Sequence, residues 1–320
     1  MPLPLQTPPA LEAPAPASSQ QAELALLDAY DWDQALPAAP GLKGKAALDY
    51  RWLRLAASFD PKQGLPMHPF AAGAARAEAE GLRHLGQLPA ERLPKALQAL
   101  PLKHSGTALA LWRWGQQRVQ QGAFTPPVRQ AWENRLLSAG PSLLRGYALR
   151  HALCWALAER DEARFTDLRT RTQGGGAEAI LKGFQRLFGL LDSPSPELRL
   201  WSLPDLSYAD RRLDQLGAGR VWICPAPTGA LPPAPAGAAW IIPSSIGSTE
   251  DREATLVGEA LSEAQALAER LQAAGQRAQL APSRAAFERL GLYWFPILIE
   301  LDAAGAVKSL RMGDAAPERP

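Results

Sequence analysis

Between residues 20 and 192 the chain repeats one device, apolar residues at three-four spacing closed off by proline or glycine. The runs Gln21–Tyr30, Lys45–Ser58, Phe70–Gly86, Ala90–Leu100, Thr107–Gln121, Val128–Gly140, Ser142–Arg171 and Ala177–Leu191 each carry such a stripe. Between them stand Pro37, Pro40, Pro66, Pro69, Pro101, Pro126, Pro127, Pro141 and the run Gly174–Gly176. Pro126, Pro127 and Pro141 come just before helical runs, where a missing N–H costs nothing. The connections are short, so neighbouring helices are expected to pack antiparallel. The pattern predicts an all-helical domain over 20–192, a bundle or short array, with no fixed-period repeat.

Leu191–Glu197 (LDSPSPE) interrupts this rhythm, and a linker is expected at 193–197. Beyond it the period changes. Short β-type runs occur at Leu198–Leu203, Val221–Cys224, Trp240–Ile242, Arg277–Leu280, Pro296–Leu301 and Val307–Met312. Helical runs are read between them at Ser207–Leu216, Ser262–Ala274 and Ser283–Leu290. Strands alternating with helices predict a small α/β domain over 198–313. In the helix Ser262–Ala274, Ser262 and Gln265 read as a capping box and Gly275 as the left-handed terminator. Ser283 and Gly291 bracket the next helix in the same way.

The stretch Trp240–Gly313 resembles the thioredoxin fold. Its order is WIIPSS, the helix SEAQALAERLQAAG, the strand RAQLA, the short helix SRAAFERLG, and then YWFPILIELD-AAG-AVKSLRMG. The resemblance implies that Pro296 is the cis-proline opening a strand, after a cis Phe295–Pro296 bond. It also implies that Asp302-Ala303-Ala304-Gly305 is the turn into an antiparallel partner. Independently, Pro296 has no N–H and fits a strand's start, and Asp302 with Gly305 suits a tight hairpin. The family's dithiol would follow the first strand, where this chain has Ser244–Ser248. Ser245 and Ser248 occupy the degenerate active-site positions, and a hydroxyl cannot attack a disulfide. The resemblance thus implies a redox-inactive domain, with Tyr293, Trp294 and Phe295 lining an apolar peptide-holding groove that faces Ser244–Ser248. The anticodon-binding domain of class II aminoacyl-tRNA synthetases shares part of this pattern.

Charge is uneven. Residues 103–186 hold 13 basic and 6 acidic side chains, whereas 187–320 hold 12 and 16. Arg113, Arg118, Arg129, Arg135, Arg145 and Arg150 form a candidate guanidinium row, suited to a protein partner with an acidic or peptide-like surface. An ordinary solvated face, or a face meeting the acidic C-terminal part of the same chain, is the plainer reading. Nucleic acid is the alternative partner, without a recognised motif beside the charge. Trp114 and Arg118 are spaced to stack at i, i+4.

Other chemistry finds no support in the residues. Cys154 and Cys224 lie 70 residues apart and form no CxxC pair, which points to a reducing compartment. His151 shares a stripe with Leu144, Tyr147, Ala148 and Trp155, as a packed core histidine would. The histidines show no metal-ligand spacing. No cofactor, catalytic set or metal site is expected. The first 40 residues lack Lys and Arg, and 1–19 is a proline-rich stretch expected to be a disordered leader, as is the tail 314–320. With no membrane-spanning run, the chain is expected to be cytoplasmic. These readings converge on a non-enzymatic protein-binding or scaffold protein, with an RNA- or tRNA-associated protein as the alternative.

Overall fold

The computed structural model describes residues 74–102, 105–139, 142–172, 177–202, 207–217, 219–224, 237–243, 259–274, 278–281, 287, 290–292 and 294–316. The expected leader, the helices Gln21–Tyr30 and Lys45–Ser58, Gly174–Gly176, Ser244–Ser248, Gly275, Ser283 and Tyr293 lie outside the described residues. Two compact units divide at Gly146/Tyr147. The first is helical where described, and the second joins helices to a mixed sheet.

In the first unit α1 spans Ala74–Leu85, and a 3-10 turn Ala90–Arg92 leads into α2, Leu93–Ala99. Then come α3, Ser105–Gln120, and α4, Pro126–Ala139, with Pro126 opening it as expected. Alpha-helix α5, Ser142–Ala158, runs across the division. The core gathers Leu82, Leu85, Leu93, Leu97, Leu111, Trp114, Trp132 and Leu136, all buried. Its centre is aromatic. Trp132 stacks on Trp112 at 5.1 Å between centroids and tilts against Phe124 at 5.4 Å. Its indole N–H donates to the Leu111 carbonyl at 2.7 Å, which satisfies the one polar atom that burial would otherwise strand. The ring comes so close to α3 at Gly115 that any Cβ there would overlap it.

The expected single run Ser142–Arg171 is two helices, α5 and α6, Glu162–Arg171. The chain turns at Arg160, whose φ is 56°. Asp161 then restarts the helix by accepting the Arg164 N–H at 2.8 Å. An apolar stripe continues across such a turn, so periodicity alone hides it. Helix α7, Ala177–Leu190, follows.

Among the described residues seven strands form the sheet: β1 Glu197–Ser202, β2 Ser207–Arg212, β3 Arg220–Ile223, β4 Ala238–Pro243, β5 Ala278–Ala281, β6 Ile297–Leu301 and β7 Val307–Met312. Their order is β2-β1-β5-β4-β3-β6-β7. The β3–β4 and β4–β5 pairs are parallel, and the others antiparallel. Helix α8, Glu259–Ala273, covers one face, where Trp222, Cys224, Trp240, Ile242, Leu280 and Leu298 pack with Ala268 and Leu271. The alternate residues Val221, Ile223, Ile241, Ile297 and Ile299 are buried too. Strands buried on both faces read as unbroken apolar runs, as WII and ILI do.

Three expectations need correction. Ser207–Leu216, read as helix, is strand β2 followed by the 3-10 turn Leu213–Leu216, because residues 207–212 complete a ladder with β1 from Ser202↔Ser207 to Glu197↔Arg212. Ser262 is no cap, since α8 begins at Glu259. The tail does not begin at 314: Gly313–Ala315 is a 3-10 turn and Ala316 packs in the core.

The Ser/Pro segment expected as a linker lies inside the second unit and is held there. The Asp192 N–H donates to the Val307 carbonyl at 2.9 Å, the Val307 N–H to Ser193 at 2.9 Å, and the Ser195 N–H to Gly305 at 3.0 Å. The D-x-x-G turn forms as expected. Asp302 Oδ1 accepts the Ala304 and Ala306 N–H groups, both at 2.9 Å. Gly305, at φ 80°, leaves room for the Asp214 carboxylate, 2.5 Å from where a Cβ would stand.

Candidate functional site

Helix α5 carries Tyr147, Arg150, His151 and Cys154 within the second unit. His151 and Cys154 are buried. The Trp155 indole donates to His151 Nε2 at 3.2 Å. This is the packed histidine that the stripe implied. Cys154 is a buried thiol outside any disulfide and, like Cys224, is unsuited to thiolate chemistry.

Trp294 and Phe295 stand just before β6, both half-buried, and the Phe295–Pro296 bond is cis as expected. Two contacts tie this segment to the helices. Trp294 stacks on Phe184 of α7, with centroids 5.6 Å apart and planes within 19°. Gly291, at φ 82°, brings the backbone so near α7 that a Cβ would lie 2.8 Å from the Gly183 carbonyl oxygen. Phe295 meets Phe287 edge-on at 6.0 Å.

Arg150 joins the two sets of candidate residues. Its guanidinium carbon lies 4.9 Å from the Trp294 ring centroid and 5.7 Å from that of Tyr147. A guanidinium over an indole is attracted by the ring's negative face, and by more when partly withdrawn from water. The other arginines are placed differently. Arg118 stacks on Trp114 at 5.0 Å, and burial lowers its pKa. Arg135 donates from Nε to the Leu100 carbonyl at 2.7 Å. Arg129 is buried with Glu133, 3.6 Å away on the next turn, and so offers no charge to a surface. Arg113 is half-buried and Arg145 exposed.

Ser244–Ser248 and Tyr293, on which the expected groove rests, lie outside the described residues, and the described neighbour of Pro296 in the sheet is the end of β3. Strand β6 pairs with β3, not with β4, and the register Ile223↔Ile297 puts Cys224 beyond the end of β3 nearest Pro296. Cys224 is buried, and its carbonyl accepts the Trp240 indole N–H at 3.0 Å. Sequence reasoning recognised the VWIC run as a strand, but a strand inserted between β4 and β6 leaves no local trace.

A second polar cluster joins the sheet's ends. The Asp214 carboxylate accepts Ser195 Oγ at 3.0 Å and Arg212 Nε and Nη2 at 3.1 and 2.9 Å. Partial burial raises this carboxyl, but the Ser195 and Arg212 bonds with the Arg212 charge outweigh it and hold the group below the usual carboxylate range. Asp214 is fully engaged as a structural tie.

Among the described residues, no group of three His, Cys, Asp or Glu could hold a metal ion, and no helix is long and apolar enough to cross a membrane. Comparison with protein-family models, with curated proteins and with solved structures finds no match to this chain.

Proposed function

We propose that this chain is a non-enzymatic protein-binding or assembly protein whose second unit is a redox-inactive, thioredoxin-like scaffold. The observation that carries the reading is the meeting of Arg150 with Trp294. A cation held on a half-buried aromatic platform combines the apolar area and the directed charge that recur at protein-binding hot spots. The scaffold reading draws support from Pro296 before β6 and from the Asp302–Gly305 turn joining β6 to β7. The insertion of β3 between β4 and β6 is a departure from the order expected for Trp240–Gly313 alone.

Tagged full-length chain, purified from its own cells and examined by mass spectrometry and absorbance, tests this reading. A stoichiometric protein partner and a protein-like absorbance ratio are expected. Co-purifying RNA without a protein partner would favour the tRNA- or RNA-associated alternative. Turnover in an insulin-reduction assay, surviving Cys154→Ser with Cys224→Ser, would overturn the scaffold reading.

A further inference from the structure

We propose that Arg150 is the anchor for a carboxylate on an acidic segment of the partner protein, an inference that rests on the protein-binding reading above. A guanidinium stacked on aromatic rings uses its face and leaves its in-plane N–H groups to seek acceptors. Three other half-buried arginines have found theirs: Arg135 the Leu100 carbonyl, Arg164 the Asp167 carboxylate and Arg212 Asp214. Arg150 has not. Its Nε is buried with no hydrogen-bond partner, and among the described residues no carboxylate pairs with it. The rings of Trp294 and Tyr147 supply attraction but no in-plane acceptor. With Nε closed to solvent, the end of the fork between the two Nη groups is the approach left. That edge suits the two oxygens of one carboxylate.

The chemistry around it favours a peptide over a nucleic acid. The residues from Tyr147 onward hold 19 basic and 21 acidic side chains, so an anion is held there by a local site and not by the net charge on which nucleic-acid binding draws. One aspartate or glutamate side chain, flanked by residues that cover the Trp294 edge, matches one arginine on an aromatic platform.

Fluorescence anisotropy on the full chain tests this with dye-labelled hexaglutamate, hexalysine and a single-stranded oligonucleotide of similar length. Hexaglutamate is expected to bind and hexalysine not, with affinity falling at least tenfold in Arg150→Gln and recovering part-way in Arg150→Lys. Thermal melts of each variant separate lost binding from lost folding, and Arg150→Lys carries the test if Arg150→Gln unfolds. Unchanged hexaglutamate affinity in a folded Arg150→Gln, no binding by the wild type at millimolar peptide, or a preference for the oligonucleotide would overturn the proposal. If the purified chain still holds a stoichiometric protein partner that Arg150→Gln retains, the anchor alone is wrong; if there is neither partner nor peptide binding, the protein-binding reading falls with it.

Discussion

Two arginine–tryptophan stacks of nearly equal length, one in each unit, are built by different means. Arg118 lies over Trp114 one helical turn away on α3, at 5.0 Å. Arg150 lies over Trp294 at 4.9 Å, and the two belong to a helix and to the approach to β6. The first stack follows from local geometry, because residues four apart share a helix face. The second exists only once α5 has packed with the sheet. The local stack therefore decorates an element that would be helical anyway, whereas the long-range stack reports the tertiary structure of its unit.

The aromatic centre of the first unit gives the largest expected effect. Trp132→Ala removes a fully buried indole together with its bond to Leu111, and a loss of about 3–5 kcal/mol is expected. Gly115→Ala pushes a methyl into the same ring, at a cost of about 1–3 kcal/mol. Urea denaturation followed by circular dichroism measures both. Losses under about 0.5 kcal/mol would mean that the first unit is not organised around Trp132.

In the second unit the corresponding lock is polar and should show in pH. Because the folded-state pKa of Asp214 lies below its unfolded value of about 3.9, the tie contributes stability above that pH and loses it as pH falls through the folded value. Melting temperature measured from pH 6 down to pH 3 should fall more steeply for the wild type than for Asp214→Asn. Parallel curves would show that the Ser195–Asp214–Arg212 cluster does not hold the segment 192–195. A smaller effect is expected from Arg118→Gln, a few tenths to about 1 kcal/mol, since its stack is local and half-exposed.

The same contrast explains what was legible in the sequence. Pro126 opening α4, the Asp302–Gly305 turn, His151 in its stripe and Trp114 beside Arg118 all depend on neighbours a few residues away, and each was readable. Strand β2 was not, because Ala209, Arg211 and Arg212 favour helix until β1 offers a ladder in register. The turn at Arg160 and the early start of α8 were hidden by apolar stripes that run on past the element's end. Arg150 and Trp294 were each picked out as candidates, for charge and for aromatic character. Their meeting depends on how α5, α7 and the segment 290–296 pack, which no local pattern encodes.

A double-mutant cycle on Arg150 and Trp294, with Arg118 and Trp114 as the internal control, tests the account most directly. Stabilities of the wild type, Arg150→Gln, Trp294→Leu and the double variant, from denaturant unfolding, give the coupling between the two side chains. The account predicts a favourable coupling of about 1–2 kcal/mol for Arg150–Trp294, larger than about 0.5 kcal/mol for Arg118–Trp114. Additive effects at Arg150 and Trp294, with coupling found only in the local pair, would contradict it.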